Sequence, residues 1–172
     1  MNLKMIRLFI LRHAIAEDRD EDRYPDDSLR PLSSKGKKKM RYLAESINRL
    51  GFSFDFILAS PYLRAKQTAE IAAHGLSVAD GLFFSDHLAP SGNMPALLRE
   101  LSMQDLEGKT ILLVGHEPYL GNLISLLCAG DDRATLRLKK GGLCFLTAEK
   151  LMHGHCATLE WLLTPSILLR ML

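Results

Sequence analysis

Two arginines and two histidines of this 172-residue chain lie where hydrophobic segments give way to helical ones. Arg12 and His13 follow the first hydrophobic run, Arg64 falls in the first turn of a later helix, and His116 ends another run. Guanidinium groups in a cleft bind anions, and their planar donors match phosphate oxygens. A neutral imidazole beside them can attack phosphorus, while a second can donate a hydrogen bond to a phosphoryl oxygen. These residue types therefore indicate phosphoryl-transfer chemistry.

The elements that must position these residues follow from the hydrophobic pattern. Strands are predicted at residues 5–11, 54–59, 78–84, 110–114, 143–148 and 157–163. Helices are predicted from the cap Ser33 to residue 50, from Ser60-Pro61 to about residue 74, at 94–106, and from Pro118 to about residue 129. This alternation predicts one α/β domain over residues 1–172, with three α/β/α layers and a central, mostly parallel sheet. Ligands bind such sheets beyond the carboxyl ends of the strands, so the four residues should converge there.

Composition limits the partners and the compartment. The net charge of +2 does not require a nucleic acid or a membrane as partner, and no apolar stretch is long enough to span a bilayer. The three cysteines are odd in number and widely spaced, which favours a reducing cytoplasm over a disulfide framework. The sequence thus predicts a cytoplasmic protein that binds neither nucleic acid nor membrane.

Three motifs resemble those of the histidine phosphatase superfamily: RHA at 12–14, SPYLRAKQTA at 60–69 and VGHEP at 114–118. RPLSSKG at 30–36 and the late Trp161 followed by Pro165 are similar to its small bacterial branch, the SixA-type phosphohistidine phosphatases. The resemblance extends over nearly the whole chain, from about residue 6 to residue 165. It implies a phosphoglycerate mutase-like fold.

The resemblance also implies roles for the four residues. His13 would become phosphorylated, while Arg12, Arg64 and His116 would form the pocket, in which phosphate or sulfate should bind. Water would then hydrolyse the phosphohistidine intermediate, and neither a metal nor another cofactor is implied. Only 51 residues separate Arg64 from His116, where mutase and phytase relatives insert a longer lid. A short interval favours an open site for a phosphorylated side chain on a phosphorelay or phosphotransfer protein.

One feature departs from the family pattern, the acid that protonates a leaving alkoxide. The usual position falls near Pro90, and Asp86 and His87 lie nearby without matching it. Glu117, which follows His116, is a third candidate. A protonated phosphohistidine releases a neutral imidazole, whose conjugate acid has a pKa of about 6.5 and which leaves with little help. The departure therefore favours phosphohistidine over a phosphate ester.

Several side chains have a second interpretation. Any one of the four central residues could be a solvated residue at a strand end. Arg30 lines the mouth of the site or forms a salt bridge within its loop. Ser60 contacts phosphate or only caps a helix, and Glu117 donates a proton or is an ordinary carboxylate in a first helical turn.

Other features suggest structural roles. The basic run at residues 37–41 is typical of a solvated helix face, and the pair His153 and His155 is predicted to lie in a loop without a metal. Cys128 and Cys144 are predicted to pack in the core. The apolar tail at residues 167–172 either packs on the core or meets a second subunit, so the sequence leaves the oligomeric state open.

The sequence therefore predicts a metal-independent phosphatase that acts through a phosphohistidine intermediate, with phosphohistidine of a phosphorelay or phosphotransfer protein as its substrate. One alternative is a phosphatase for a small phosphate ester, and another is a phosphoprotein-binding module without catalysis. The attacking nitrogen of His13 stays open, because it depends on a hydrogen-bond partner that the sequence does not identify.

Overall fold

A computed structural model describes residues 4–78 and 80–172 of the chain. The strands are β1 (Ile6–Arg12), β2 (Phe56–Ala59), β3 (Leu82–Phe84), β4 (Thr110–Gly115), β5 (Leu143–Ala148) and β6 (Ala157–Leu163). The helices are α1 (Ser34–Arg49), α2 (Leu63–Gly75), α3 (Met94–Ser102), α4 (Tyr119–Ala129) and the short α5 (Pro165–Leu168). Short 3₁₀ turns occur at Asp27–Leu29, Asp86–Leu88 and Leu169–Met171.

The six strands form one sheet in the order β3-β2-β4-β1-β5-β6. Strands β1 to β4 are parallel to one another, and β5 is antiparallel to both of its neighbours, so five strands run one way and one the other. The mostly parallel sheet predicted from the sequence is confirmed. Its centre is formed by β2, β4 and β1, whose carboxyl ends lie side by side.

The hydrophobic core lies on both faces of this sheet. Along β1, Leu8 and Ile10 pack into the cluster under α3 and α4, whereas Phe9 and Leu11 pack into the cluster under α1 and α2. This alternation follows from the two-residue period of a strand. Helices therefore cover both faces, as the predicted three-layer architecture requires.

Several element boundaries differ from the prediction. β1 includes Arg12 itself, and β2 begins only at Phe56. The predicted strand at 78–84 is reduced to Leu82–Phe84; residue 79 lies outside the described residues. The helix predicted at 94–106 ends at Ser102, because the chain turns there toward β4, with Gly108 at a φ of 73°. A positive φ is a conformation that glycine adopts readily.

The cap predicted for the second helix is wrong. Tyr62, not Ser60, is the N-cap of α2, and no side chain caps the helix. The fourth helix likewise begins one residue after Pro118, at Tyr119. By contrast, Ser33 caps α1 as predicted, since its side chain accepts a hydrogen bond from the backbone N–H of Gly36 at 3.0 Å.

A glycine allows α1 to approach the segment after β1. A Cβ at Gly36 would lie 1.9 Å from the carbonyl oxygen of Ile15, well inside contact distance. The same carbonyl accepts hydrogen bonds from the backbone N–H of Ser33 at 3.0 Å and from its hydroxyl at 3.2 Å. The start of α1 therefore fixes the segment that follows Arg12 and His13.

The remaining predictions concern the periphery. Leu168 of the tail is buried against the core beside α1, while Met171 and Leu172 are exposed. Cys144 is buried and Cys128 is partly buried, as predicted. The basic run lies on α1, and His153 and His155 lie in the loop between β5 and β6. Within the described part of the chain, none of the helices combines the length and hydrophobicity needed to cross a membrane.

Candidate active site

Arg12, His13 and His116 lie at the carboxyl ends of β1 and β4, and Arg64 lies in the first turn of α2, which follows the adjacent β2. Arg12 ends β1 opposite Gly115 of β4, and the backbone N–H of His13 donates to the carbonyl of Gly115 at 3.0 Å. The backbone N–H of Ser60, after β2, donates to the carbonyl of Val114 at 2.9 Å. The ends of β1, β4 and β2 are thus joined by backbone hydrogen bonds, which places their side chains at one sheet edge.

His13 has a defined tautomer. Its Nδ1 lies 2.7 Å from the carbonyl oxygen of Ala14, and a carbonyl only accepts, so Nδ1 carries the hydrogen. The Nε2 atom therefore holds a lone pair. The backbone N–H of Ala14 donates in turn to the hydroxyl of Thr68, on α2, at 3.1 Å. His13 itself is only 6% exposed, so its ring is held in place with the lone pair on Nε2.

Arg64 projects from the first turn of α2 and is held by the loop that precedes α1. Its Nη1 donates to the backbone carbonyl of Asp27 at 2.8 Å, and its Nη2 lies 3.0 Å from the carboxylate of the same residue. The guanidinium carbon also lies 5.1 Å from the centre of the Tyr62 ring. The side chain is 6% exposed, so Arg64 is a buried, oriented cation.

Arg12 is held by the segment between α4 and β5. Its Nη1 donates to the carbonyl of Leu138 at 3.0 Å. The backbone of the same residue exchanges hydrogen bonds with Gly141 and Gly142 at 3.1 and 3.2 Å. This segment therefore fixes both the backbone and the guanidinium of Arg12.

His116 pairs with Ser60 rather than with a backbone group. Its Nε2 lies 2.8 Å from the hydroxyl oxygen of Ser60, and its ring centre is 5.1 Å from that of His13. If the hydroxyl donates this bond, His116 carries its hydrogen on Nδ1; if the imidazole donates it, the hydroxyl hydrogen is free. In either case the pair retains one donor for a ligand oxygen.

Three buried nitrogens of the central residues have no hydrogen-bond partner among the described residues. They are the Nε atoms of Arg12 and Arg64 and the Nδ1 atom of His116. Buried polar groups are nearly always hydrogen-bonded, and those left unpaired commonly mark a ligand or catalytic site. Two guanidinium N–H donors and an imidazole in this arrangement fit a tetrahedral oxyanion such as phosphate.

Burial keeps both imidazoles neutral. It lowers the pKa of His13 to about 3; the hydrogen bond to Ala14 opposes this effect, and the charges of Arg64 and Arg12 add to it. Burial is also the main cause that lowers the pKa of His116 to about 3. The charges of His13 and Arg64 lower this pKa further. Desolvation is thus the larger cause of the low pKa values, and the neighbouring guanidinium charges are a smaller one.

Comparison with known proteins agrees with this geometry. The sequence profile of the histidine phosphatase superfamily (branch 1) matches residues 8–82. The phosphohistidine phosphatase SixA of Escherichia coli strain K12 is 30% identical over 127 residues, which cover 73% of this chain and 76% of that protein. The chain belongs to the histidine phosphatase superfamily. It is a SixA-like member and a phosphatase.

Two further proteins are similar to this chain. An uncharacterized protein of Picosynechococcus sp. strain PCC 7002 is 39% identical over 140 residues, which cover 80% of this chain and 82% of that protein. The structure of the protein histidine phosphatase SixA with tungstate superimposes with a TM-score of 0.77 at 25% identity, covering 95% of this chain and 99% of that chain. The phosphoglycerate mutase-like fold implied by the sequence motifs is therefore confirmed.

The three candidate acids of this superfamily member differ in position. The Oε1 atom of Glu117 accepts the backbone N–H of Leu138 at 3.1 Å, and burial raises the pKa of this carboxyl although that hydrogen bond opposes the effect. Asp86 is exposed and His87 is half-buried, in the turn after β3. Among the hydrogen bonds and ion pairs of the described residues, none joins Asp86 or His87 to the four central residues. Glu117 alone contacts a segment that holds one of them.

Asp27 is a site residue that sequence reasoning missed. Its carboxylate joins Arg64 to Arg30, whose Nε lies 2.8 Å from the other carboxylate oxygen. Arg30 also donates from Nη1 to the carbonyl of Glu17 at 2.8 Å, so it forms the loop salt bridge considered as an alternative. The spacing of Asp27 and Arg30 was a possible signal, but Asp26 and Asp22 in the same acidic loop offered equally good candidates.

Proposed function

We propose that this chain is a metal-independent phosphohistidine phosphatase that acts on a phosphorelay or phosphotransfer protein, with His13 as the nucleophile. One observation carries the proposal: His13 keeps its lone pair on Nε2 and its ring centre lies 5.1 Å from that of His116, while Arg12, Arg64 and His116 each have a buried nitrogen without a hydrogen-bond partner among the described residues. A buried, neutral nucleophile among oriented cations suits attack on a phosphoryl group.

In the first step the Nε2 lone pair of His13 forms a bond to phosphorus, and the bond from phosphorus to the substrate nitrogen breaks with its electron pair left on that nitrogen. Arg12 and Arg64 hold the non-bridging oxygens through their free Nε–H groups. The pair of His116 and Ser60 supplies a further donor as charge shifts in the transition state. Phosphoryl transfer depends mainly on such positioning and charge stabilisation.

In the second step water attacks the phosphorus atom, and the bond from phosphorus to Nε2 of His13 breaks with its electron pair left on Nε2. Inorganic phosphate leaves with the oxygen and the protons of that water. The hydrogen bond from Nδ1 to the carbonyl of Ala14 keeps the ring in place through both steps. The low pKa of His13 also makes its neutral imidazole a good leaving group, because the ring does not need a proton to depart.

Three observations favour a phosphohistidine substrate over an ester. The side chains of Asp86 and His87 make no hydrogen bond or ion pair to the central residues within the described part of the chain, and an alkoxide leaving group requires an acid. The similar protein from E. coli bears the name phosphohistidine phosphatase. The short interval between Arg64 and His116 also suits a protein substrate.

The test compares phosphate release from a phosphohistidine-bearing phosphotransfer protein and from p-nitrophenyl phosphate, with a chelator present throughout. We expect release from phosphohistidine by the wild type and its loss in His13→Ala. His74→Ala, an exposed histidine at the end of α2, is the matched control and should retain activity.

Each other outcome has a defined meaning. Release from the ester alone would replace the proposal with a small-molecule phosphatase. No release from either substrate would support the binding-module alternative. Activity that disappears with the chelator and returns with a divalent cation would contradict metal independence.

A further inference from the structure

A carboxylate lies directly beside the phosphoryl-binding cations. One oxygen of Asp27 is 3.0 Å from Nη2 of Arg64, and the other is 2.8 Å from Nε of Arg30. Burial alone would raise the pKa of Asp27, but the hydrogen bond from Arg30 and the charge of Arg64 outweigh it and keep the pKa below its usual value. Asp27 is therefore a negative charge at a site that binds an anion.

Asp27 is the solvent-exposed partner of the buried Arg64. Its side chain is 39% exposed, whereas that of Arg64 is 6% exposed. Together with Arg30, Tyr24 and Pro25, it lines a surface cleft of about 300 Å³. In an in-line displacement the leaving group departs on the side of phosphorus opposite the nucleophile. Because His13 is buried whereas Asp27 is exposed beside Arg64, we take the leaving group to depart on the side of Asp27.

The carboxylate has capacity for another donor. Two carboxylate oxygens together accept about four hydrogen bonds, and the contacts with Arg30 and Arg64 use one on each oxygen. A phosphate ester presents only anionic oxygens and an ester oxygen, which Asp27 would repel. A protonated phosphohistidine presents a ring N–H and a positive charge, which a carboxylate attracts.

We propose that Asp27 determines substrate class by accepting a hydrogen bond from the ring N–H of a protonated phosphohistidine as its imidazole leaves. This inference rests on the proposed function. As His13 Nε2 bonds to phosphorus, the P–N bond breaks and its electrons stay on the substrate nitrogen. The other ring nitrogen keeps its hydrogen throughout, so a neutral imidazole departs and no proton has to be transferred.

The test measures kcat/KM of Asp27→Asn for a phosphohistidine-bearing protein and for p-nitrophenyl phosphate. Asparagine keeps the shape and one acceptor but removes the charge. We expect the ratio of phosphohistidine to ester activity to fall by about tenfold or more, which is typical for losing a hydrogen bond to a charged group. Asp18→Asn, an exposed carboxylate of the same loop, should leave the ratio unchanged.

Inhibition by inorganic phosphate separates this role from a purely structural one. If Asp27 acts on the leaving group, Asp27→Asn should bind phosphate as well as the wild type or more tightly. If Asp27→Asn lowers kcat/KM equally on both substrates and also weakens phosphate inhibition, Asp27 only positions Arg64. That result would overturn the inference. An unchanged ratio would overturn it as well. Failure of the wild type to release phosphate from phosphohistidine would instead contradict the proposed function.

Discussion

The Nδ1–H of His13 donates a 2.7 Å hydrogen bond to the carbonyl oxygen of Ala14, the next residue in the chain. This contact leaves the lone pair on Nε2 and needs no carboxylate partner, which would raise the pKa of the ring. A backbone acceptor therefore orients the imidazole while burial keeps it neutral. Four predictions follow from this site and its supports.

The buried histidines should make the protein less stable in mild acid. Both have a pKa of about 3 in the folded state, against about 6.5 when unfolded, so the unfolded chain binds more protons below pH 6.5. Stability is unaffected by these groups above that pH and declines as the pH falls toward 3. Between pH 7 and pH 5 the expected loss is about 2 kcal/mol for each histidine.

Urea unfolding at pH 7 and pH 5 measures this loss, and His13→Asn should reduce it by the contribution of one histidine. His74→Asn, at the exposed end of α2, is the matched variant. An equal pH dependence in the wild type and His13→Asn would mean that the imidazole is not desolvated as the structure indicates.

Replacing Arg64 by lysine should weaken anion binding although the charge is kept. Lysine cannot offer Nε–H and Nη–H groups in a planar fork, so one of the donors around the phosphoryl group is lost. We expect the inhibition constant of inorganic phosphate to rise by about tenfold or more. Arg41→Lys, an exposed change on α1, serves as the control, and equal phosphate inhibition in Arg64→Lys and the wild type would contradict the assignment of Arg64 as a clamp.

Glu117 should act through Arg12 rather than as an acid. Its carboxylate accepts the N–H of Leu138, whose carbonyl accepts from Arg12. Glutamine can keep this acceptor and alanine cannot, so Glu117→Gln should retain activity on both substrates, while Glu117→Ala should raise KM and the phosphate inhibition constant.

The ester substrate distinguishes the two roles of Glu117. An equal, large loss of kcat on p-nitrophenyl phosphate in both variants would identify Glu117 as a proton donor. Glu149→Ala, an exposed carboxylate after β5, should change neither kinetic constant.

A methyl group at Gly36 should disturb the start of α1. It would meet the carbonyl oxygen of Ile15 at 1.9 Å, and that oxygen is held by backbone and side-chain hydrogen bonds from Ser33. We expect Gly36→Ala to lower the free energy of unfolding by about 1–3 kcal/mol, as overpacking commonly does. Urea unfolding of Gly36→Ala checks this, with Lys38→Ala, an exposed change on the same helix, as the control. An equal free energy of unfolding in Gly36→Ala and the wild type would contradict the close approach of α1 to Ile15.

The central site was predictable because its residues follow a rule of position. Arg12, His13 and His116 end or follow hydrophobic strands, and the carboxyl ends of parallel strands meet at one edge. The type of each residue then restricted the chemistry to anions and nucleophilic attack. The same periodicity located β5 and β6 to the residue, since both are bounded by polar turns.

The rest depends on contacts between distant segments. Asp27 is one of several acidic residues in its loop, and only the approach of Arg64, 37 positions later, distinguishes it. The hydroxyl of Ser60 suited a helix cap equally well, and its contact with His116 depends on how β2 and β4 align. The tautomer of His13 depends on the turn of the backbone at Ala14. Periodicity contains none of this information.

Trapping the phosphoryl group on the enzyme tests the central claim most directly. A phosphohistidine-bearing substrate protein labelled with radioactive phosphate is mixed with excess enzyme, quenched in alkali within the first turnover and mapped by peptide. We predict label on Nε2 of His13, stable in alkali and lost in acid, and no label on His13→Ala. Phosphate release without label on His13, or label on another residue, would contradict the account.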